Sequence, residues 1–255
     1  MNRARTIAAA ALSPLIWWRE RSPHSPSARP PEAIPSKNAE GRLAGMLHEL
    51  RTPLAAMAGL VNLLLEESFD ELQQKALLTR VAATVAAMDM QVKNAFDLHL
   101  LEQGRLRTNR RPSRPAQLIE ESVARCAPAA QVKQLEIDAQ LPELPAIELD
   151  PLHLDRIVCN LVFNAIRRTA HGRITVSVSV VNDHLALEIV DEGGPVALDQ
   201  LPQFFERVES GAGAPNELFT ARILAEIDGG SARAANRDGR GVAVTVLLPL
   251  GASGA

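Results

Sequence analysis

Residues 43–64 read LAGMLHELRTPLAAMAGLVNLL, and apolar side chains recur along this stretch at alternating steps of four and three. The series consists of Leu43, Leu47, Leu50, Leu54, Met57, Val61 and Leu64. Such spacing predicts a long helix with an apolar seam that packs against a second helix. After a short break at residues 68–70, the seam of that partner consists of Leu78, Val81, Val85, Met88, Val92 and Ala95.

The two helices predict an antiparallel hairpin, because only a few residues join them. A hairpin with an apolar stripe on each arm still exposes apolar surface on its open side. Burying each Leu side chain stabilises the fold by about 1.5 to 3 kcal/mol, so we expect a second copy to cover that side. The sequence therefore predicts a homodimer in which two hairpins form a four-helix bundle.

Composition excludes several functional classes. The chain has 255 residues, of which 46% are hydrophobic and 3% aromatic, and its formal net charge is -3. This composition is typical of globular domains, and it offers neither a positive field nor stacking surfaces for nucleic acid. Cys126 and Cys159 are 33 positions apart with no metal-binding spacing. We therefore expect no zinc site and no disulfide framework, and we expect the chain to lie in a reducing cytoplasm.

The first 36 residues are predicted to form a leader and a proline-rich linker. The apolar run from Thr6 to Trp18 is interrupted by Pro14 and is shorter than the roughly 20 residues of a spanning helix. An alternative function for this leader is peripheral contact with a membrane surface. The predicted domains are 1–36, a dimerisation and acceptor domain at 37–109, an ATP-binding-like domain at 110–251, and a tail at 252–255.

The second half of the chain mixes helices and strands beyond a predicted hinge at Arg110–Pro115. The predicted helices are Ala116–Gln131, Leu152–Thr169 and Glu217–Ile227. The predicted strands are Leu135–Leu141, Gly172–Val181, Leu185–Val190 and Val242–Leu248, with a turn at Asn182-Asp183 between the middle two. This order predicts an α+β fold, in which the helical hairpin is followed by a two-layer α/β sandwich.

One histidine stands beside the apolar seam of the first helix. His48 is flanked by Leu47 and Glu49, and Thr52 follows one turn later on the same face. An imidazole is nucleophilic and largely neutral near pH 7, so His48 is a candidate phosphoryl acceptor with Glu49 as its general base. Pro53 removes a helix hydrogen bond just beyond it, at a cost of about 3 kcal/mol.

The octet LHELRTPL at residues 47–54 resembles the phosphoacceptor box of sensor histidine kinases. The resemblance continues in order through most of residues 37–251. It implies a nucleotide-binding domain of the histidine kinase ATPase type, ATP-dependent autophosphorylation at His48, and transfer to the aspartate of a response regulator receiver domain. It also implies that Thr52 orients water during dephosphorylation of that regulator.

A second match is DRIVCNLVFNAIRRT at residues 155–169, which follows Asp150-Pro151 and resembles the asparagine box of the family. Polar side chains form a ridge along this predicted helix at Arg156, Asn160, Asn164 and Arg167. The resemblance implies that Asn164 binds Mg²⁺ and that Asn160 and Arg167 contact the phosphates of ATP.

Glycine boxes complete the resemblance, with two departures from the family pattern. Asp191 and Gly193 match the first box, in which the aspartate accepts a hydrogen bond from adenine, although Pro195 replaces its second glycine. In the second box only Gly213 survives, because Pro215 and Glu217 stand where glycines are expected. Glu217 puts negative charge where phosphate would lie, so we expect weakened nucleotide binding.

Next, Phe204-Phe205-Glu206-Arg207 resembles the phenylalanine box of the family, although two buried phenylalanines are equally good hydrophobic packing.

Two alternatives to the ATP-dependent kinase remain. One is an ATP-independent histidine phosphotransferase or regulator phosphatase with a relic nucleotide domain. The other is a non-enzymatic, dimeric docking scaffold in which His48 is idle.

Overall fold

Two long helices open the part of the chain that the computed structural model describes, which comprises residues 39–66, 68–207, 216–237 and 241–250, with side chains from Leu50 onward. Helix α1 spans Ala39–Glu66 and helix α2 spans Glu71–Glu102. Asp70 caps α2, because its carboxylate accepts a hydrogen bond from the backbone N–H of Gln73 at 2.7 Å. In turn, the side-chain oxygen of Gln73 accepts a hydrogen bond from the backbone N–H of Asp70. The two helices contact each other as the predicted hairpin.

The hairpin leaves an apolar stripe uncovered within one chain. Leu54 is 47% exposed, Val85 49% and Val92 50%, and all three belong to the predicted seams. Larger fractions of Leu65 and Leu72 are exposed near the turn between the helices. A single hairpin therefore cannot bury the apolar positions that its own sequence supplies.

Helices and strands alternate in the remainder of the chain. The helices are α3 (Pro115–Val132), α4 (Pro151–Arg168) and α5 (Glu217–Ile227), with a short 3₁₀ helix at Pro202–Phe205. The strands are β1 (Arg111–Ser113), β2 (Glu136–Gln140), β3 (Ile147–Leu149), β4 (Arg173–Val181), β5 (His184–Asp191), β6 (Ser231–Asn236) and β7 (Val242–Pro249).

Five of these strands form a sheet in the order β2-β4-β5-β7-β6. Strands β2 and β4 pair in parallel, and the other pairs in this sheet are antiparallel. Helices α3, α4 and α5 each contact the sheet, and α4 contacts both α3 and α5. The α+β fold class predicted from the sequence is therefore confirmed.

Strand β4 shows why the alternation of apolar and polar residues in the sequence predicted the strands. Ile174, Val176 and Val178 are buried against the helices, and the hydroxyl residues between them are more exposed. Asn182 and Asp183 both have positive φ, at 47° and 60°, as a two-residue hairpin turn requires. Each predicted helix and strand of this domain matches an observed one to within one or two residues.

Three strands were not predicted. The predicted hinge at Arg110–Pro115 contains β1, which pairs with β3. Because proline is rare inside strands, Pro112 favoured a hinge over a strand in this segment. Strand β6 reads SARAAN and lacks the apolar alternation that identifies a strand.

Among the described helices, none is both long and apolar enough to cross a membrane.

Candidate active site

The acceptor octet lies in the middle of α1. The backbone of His48 and Glu49 is helical, while their side chains lie outside the described part of the structure. Thr52 is exposed one turn later, so its hydroxyl shares the His48 face of the helix. Pro53 lies inside this continuous helix and has no N–H to donate to the carbonyl of Glu49.

Helix α4 carries the polar ridge, and its start is fixed by local hydrogen bonds. The carboxylate of Asp150 accepts from the backbone N–H of Leu152 at 2.9 Å and of His153 at 3.2 Å. Pro151 occupies the first helical position, where its missing N–H has no cost. The apolar sides of α4 are buried in the core, which fixes the position of its last turn at the candidate site.

Near the residues predicted to bind phosphate and Mg²⁺, a carboxylate of the chain itself contacts the predicted ligands. Oε2 of Glu217 accepts a hydrogen bond from Nη2 of Arg167 at 2.9 Å, and the Asn164 side chain also bonds to this carboxylate. Glu217 is 5% exposed. Burial raises the pKa of Glu217, and the charge and hydrogen bonds of Arg167 and Asn164 oppose that rise.

The aspartate predicted to bind adenine also has hydrogen-bond partners within the chain. Asp191 ends β5, and its Oδ2 accepts from Nε of Arg168 at 3.1 Å. Its Oδ1 accepts from the backbone N–H of Gly193 at 2.9 Å. The guanidinium of Arg168 also lies over the ring of Phe204, with 5.1 Å from Cζ to the ring centroid. Both carboxylate oxygens of Asp191 therefore have partners in this structure.

Two glycines allow the backbone to pass close to Asp191. A Cβ on Gly193 would lie 2.8 Å from Asp191 Oδ1 and 2.8 Å from the carbonyl oxygen of Arg168. Gly241 has φ of +68°, and a Cβ there would lie 1.7 Å from the carbonyl oxygen of Asp191. Gly193 is predicted from the sequence, whereas Gly241, which lies 50 positions beyond Asp191 in the chain, is not.

Asn160 contacts the helical hairpin. Its Nδ2 donates to Asn94 Oδ1 at 2.9 Å and its Oδ1 accepts from Asn94 Nδ2 at 2.6 Å, so the two amides form a buried pair between α2 and α4. One turn earlier, Arg156 pairs with the buried Asp97 of α2. A phosphate contact at Asn160, as predicted, would first require the Asn94 bonds to break.

Of the remaining predicted residues, Gly213 and Pro215 lie outside the described residues. Phe205 is buried in the core, and Arg207 donates to the Glu102 carboxylate at 2.8 Å. The phenylalanine box therefore packs as ordinary core at Phe205 and contributes a ring to the site at Phe204. Arg168 was not predicted as a site residue, because its neighbour Arg167 accounts for the basic position of the motif.

The described residues fit ATP in part. Asn164, Arg167, Asp191 and Gly193 supply the amide, guanidinium, carboxylate and close backbone approach that a nucleotide needs. A triphosphate would meet the carboxylate of Glu217, and an adenine would meet the guanidinium of Arg168. Within the described segments no group of three or more His, Cys, Asp or Glu residues could hold a metal ion.

Comparison with known proteins relates both halves of the chain to one family. Residues 41–104 match the family model of the His Kinase A (phospho-acceptor) domain. Residues 149–252 match the model of the histidine kinase-, DNA gyrase B- and HSP90-like ATPase. Together these segments cover the acceptor octet, the asparagine box and both glycine boxes.

Individual relatives agree with the family models. The sensory/regulatory protein RpfC of Xanthomonas campestris pv. campestris is 30% identical over 189 residues, which are 70% of this chain and 26% of that protein. The aerobic respiration control sensor protein ArcB homolog of Haemophilus influenzae is 27% identical, over 76% of this chain and 62% of that protein. This chain thus spans about a quarter of the length of the Xanthomonas relative.

Solved structures show the same fold. The Acinetobacter baumannii histidine kinase AdeS superposes with a TM-score of 0.55 at 23% identity, covering 80% of this chain and 98% of that chain. Full-length ShkA in complex with AMPPNP gives 0.57 at 25% identity, covering 84% and 47%. The acceptor helix, the ATPase-type sheet and the family models agree, and the chain belongs to the sensor histidine kinase family.

Proposed function

We propose that the chain is a two-component histidine kinase, in which the γ-phosphoryl group of ATP passes to His48 and then to an aspartate of a response regulator receiver domain. The observation that carries this proposal is the intact acceptor octet on the exposed helix α1, ahead of an ATPase-type domain. In that domain consecutive residues at the end of α4, Arg167 and Arg168, reach both halves of the candidate nucleotide site.

Each site residue then has a chemical role. ATP supplies the phosphoryl group, and Mg²⁺ neutralises the charge of its oxygens. His48 is the acceptor nucleophile and Glu49 takes its ring proton. Asn164 is the Mg²⁺ ligand, Arg167 binds phosphate, and Asp191 with Gly193 and Gly213 holds the nucleotide. The ShkA structure, which contains AMPPNP, supports nucleotide binding by a domain of this fold.

The kinase is proposed to act as a homodimer. The exposed seam positions Leu54, Val85 and Val92 support this, because a second hairpin would cover them. Such a dimer has domains at 37–109 and 110–251. Peripheral membrane contact through residues 1–36 stays a prediction, and those residues lie outside the described part of the structure.

A second candidate function rests on Glu217 and Arg168. Their side chains bond to the groups that would bind phosphate and adenine, so a nucleotide would have to displace them. In this alternative the chain passes phosphoryl groups between His48 and receiver domains without ATP, or dephosphorylates a receiver domain. The fold and the acceptor helix are the same in both candidates.

Phosphoryl transfer by two routes tests these candidates. The purified chain is incubated with Mg²⁺ and ATP labelled in its γ-phosphate, or with a receiver domain that carries a labelled phosphoryl group. The kinase takes acid-labile label by the first route, and Asn164→Ala abolishes that route alone. The ATP-independent protein takes label by the second route only, and a scaffold takes none.

The role of His48 is tested in the same assay. His48→Gln should remove the label by either route. His99→Gln is the matched control, because His99 is an exposed histidine on the neighbouring helix α2. Equal labelling of His48→Gln and the unmodified chain would remove His48 from the mechanism.

A further inference from the structure

The two cysteines of the chain lie side by side, although they are far apart in sequence. Cys159 of α4 places its Sγ 3.9 Å from the carbonyl oxygen of Ser122 on α3. In an α-helix the carbonyl of residue 122 is next to the backbone N–H of residue 126, so this position lies beside Cys126. The thiol of Cys126 hydrogen-bonds to the sulfur of Cys159. Both are free thiols in this structure.

A cavity of about 490 Å³ gives access to this pair. It lies between α2, α3 and α4, and both cysteines line it together with Lys93 and Arg125. Cys159 is partly exposed, whereas Cys126 is fully buried. A small reagent that enters the cavity therefore meets the sulfur of Cys159 first.

The surroundings shift the pKa values of the two thiols in opposite directions. The hydrogen bond from Cys126 lowers the pKa of Cys159, and the positive charges of Arg125 and Lys93 lower it further against the effect of burial. The same hydrogen bond, with burial, raises the pKa of Cys126. Asp155 also lies 3.7 Å from the Cys159 sulfur, and its carboxylate is paired with Arg125. Cys159 is the more nucleophilic sulfur, because the thiolate is the reactive form.

We propose that Cys126 and Cys159 form a peroxide-sensitive dithiol that closes to an intrachain disulfide. The Cys159 thiolate attacks one oxygen of a hydroperoxide, the O–O bond breaks, and the departing oxygen leaves as water or an alcohol after taking a proton. Cys126 then attacks the resulting sulfenic acid. The S–S bond forms, the S–O bond breaks, and hydroxide leaves as water with the proton of Cys126. Two thiols lose two electrons in total, and one peroxide gains them.

The site adjoins a contact between the two halves of the chain. Cys159 immediately precedes Asn160, whose amide pairs with Asn94 of α2. A covalent bond between α3 and α4 at this turn therefore acts on the segment that holds the helical hairpin. This proposal concerns the thiols alone, so it can fail or succeed independently of the phosphoryl-transfer assay.

Thiol counting on the reduced 255-residue chain tests the proposal. Hydrogen peroxide in about tenfold excess should remove both free thiols per chain. The intact mass should fall by two hydrogen atoms, and the denatured, non-reduced chain should still migrate as a single chain. Two thiols that persist, a sulfinic acid on Cys159, or chains linked to one another would each overturn the proposal.

Single variants assign the order of reaction. In Cys126→Ala the sulfenic acid on Cys159 has no partner, so a dimedone probe should trap it there. In Cys159→Ala the remaining buried thiol should react with iodoacetamide at least about tenfold more slowly than Cys159 does in Cys126→Ala. Cys126→Ser provides a second version if alanine at the buried position prevents folding. Equal alkylation rates in the two single variants would contradict the assignment of Cys159 as the attacking sulfur.

Discussion

Nη2 of Arg167 lies 2.9 Å from Oε2 of Glu217, so a guanidinium predicted to hold a phosphate holds a carboxylate of the same chain. Glu217 is buried, whereas the Arg167 side chain is half exposed. The ion pair thus occupies the position predicted for phosphate. A nucleotide bound as predicted would compete with this carboxylate for Arg167 and Asn164.

Removing the carboxylate should strengthen nucleotide binding. Glu217→Ala frees Arg167 and Asn164, and a hydrogen bond from a charged group contributes about 1.5 to 3 kcal/mol. We expect the Kd of a fluorescent ATP analogue with Mg²⁺ to fall roughly 10- to 100-fold. Glu226→Ala is the matched control, because it removes a carboxylate from the same helix without touching Arg167. Unchanged affinity in a folded Glu217→Ala protein would show that Glu217 does not obstruct the site.

The same carboxylate predicts a pH effect on stability. Burial raises the pKa of Glu217 above its ordinary value of 4.5, so in the window above 4.5 the folded chain binds the proton more tightly than the unfolded chain. This proton therefore stabilises the folded chain fully at pH values below 4.5. The stabilisation is lost as pH rises through the pKa of Glu217 in the folded chain. Urea unfolding from about pH 5 to about pH 8 should show Glu217→Gln gaining stability relative to the unmodified chain. A pH-independent difference would contradict this.

The sequence predicted the elements better than it predicted the contacts between them. Periodicity located α1 to α5 and the long strands, because burial of one face governs both the pattern and the structure. It missed β1 and β3, which are three residues long, and the alanine-rich β6. The position of Glu217 in the second glycine box predicts that its carboxylate lies where phosphate would bind, and this stays a prediction. The bonds from Arg168 to Asp191 and from Asn94 to Asn160 join residues far apart in sequence, and no local pattern records such pairing.

Charge on the seam should separate the proposed dimer. Replacing Leu50 and Leu54 by Glu places carboxylates where the second hairpin would pack, and each lost apolar side chain removes about 1.5 to 3 kcal/mol. Light scattering should report monomers for this variant and dimers for the unmodified chain at micromolar concentration. Leu198→Glu is the control, since Leu198 is 79% exposed outside the hairpin. A monomeric unmodified chain would contradict the dimer directly.

The amide pair between α2 and α4 should be energetically coupled. Asn94→Ala or Asn160→Ala leaves a buried amide without its partner, at a cost of about 1 to 3 kcal/mol each. The double variant should cost less than the sum of the two single variants, as measured by urea unfolding. Gln117→Ala on α3 serves as a surface control. If Asn160→Ala alone also lowers nucleotide affinity, while Asn94→Ala does not, Asn160 contributes to phosphate binding as predicted.

Thr52 should act in dephosphorylation and be dispensable for phosphotransfer. Its hydroxyl is exposed on the His48 face of α1, where it can orient a water molecule toward the acyl phosphate of a docked receiver domain. That reaction depends on positioning and needs no nucleotide, so it should tolerate Glu217 at the predicted phosphate position. The alternative is that Thr52 only accommodates the local geometry before Pro53.

Thr52→Ala separates these roles, because it removes the hydroxyl and keeps a helix-forming residue. We expect loss of phosphate from the receiver domain to slow by about 10- to 100-fold, a range typical for a group that positions a reactant. Label transfer to His48 should be nearly unchanged. Thr79→Ala on α2 is the matched control, since its hydroxyl bonds to the Lys75 carbonyl within its own helix. If Thr52→Ala slows both reactions equally, or neither, Thr52 has no separate hydrolytic role.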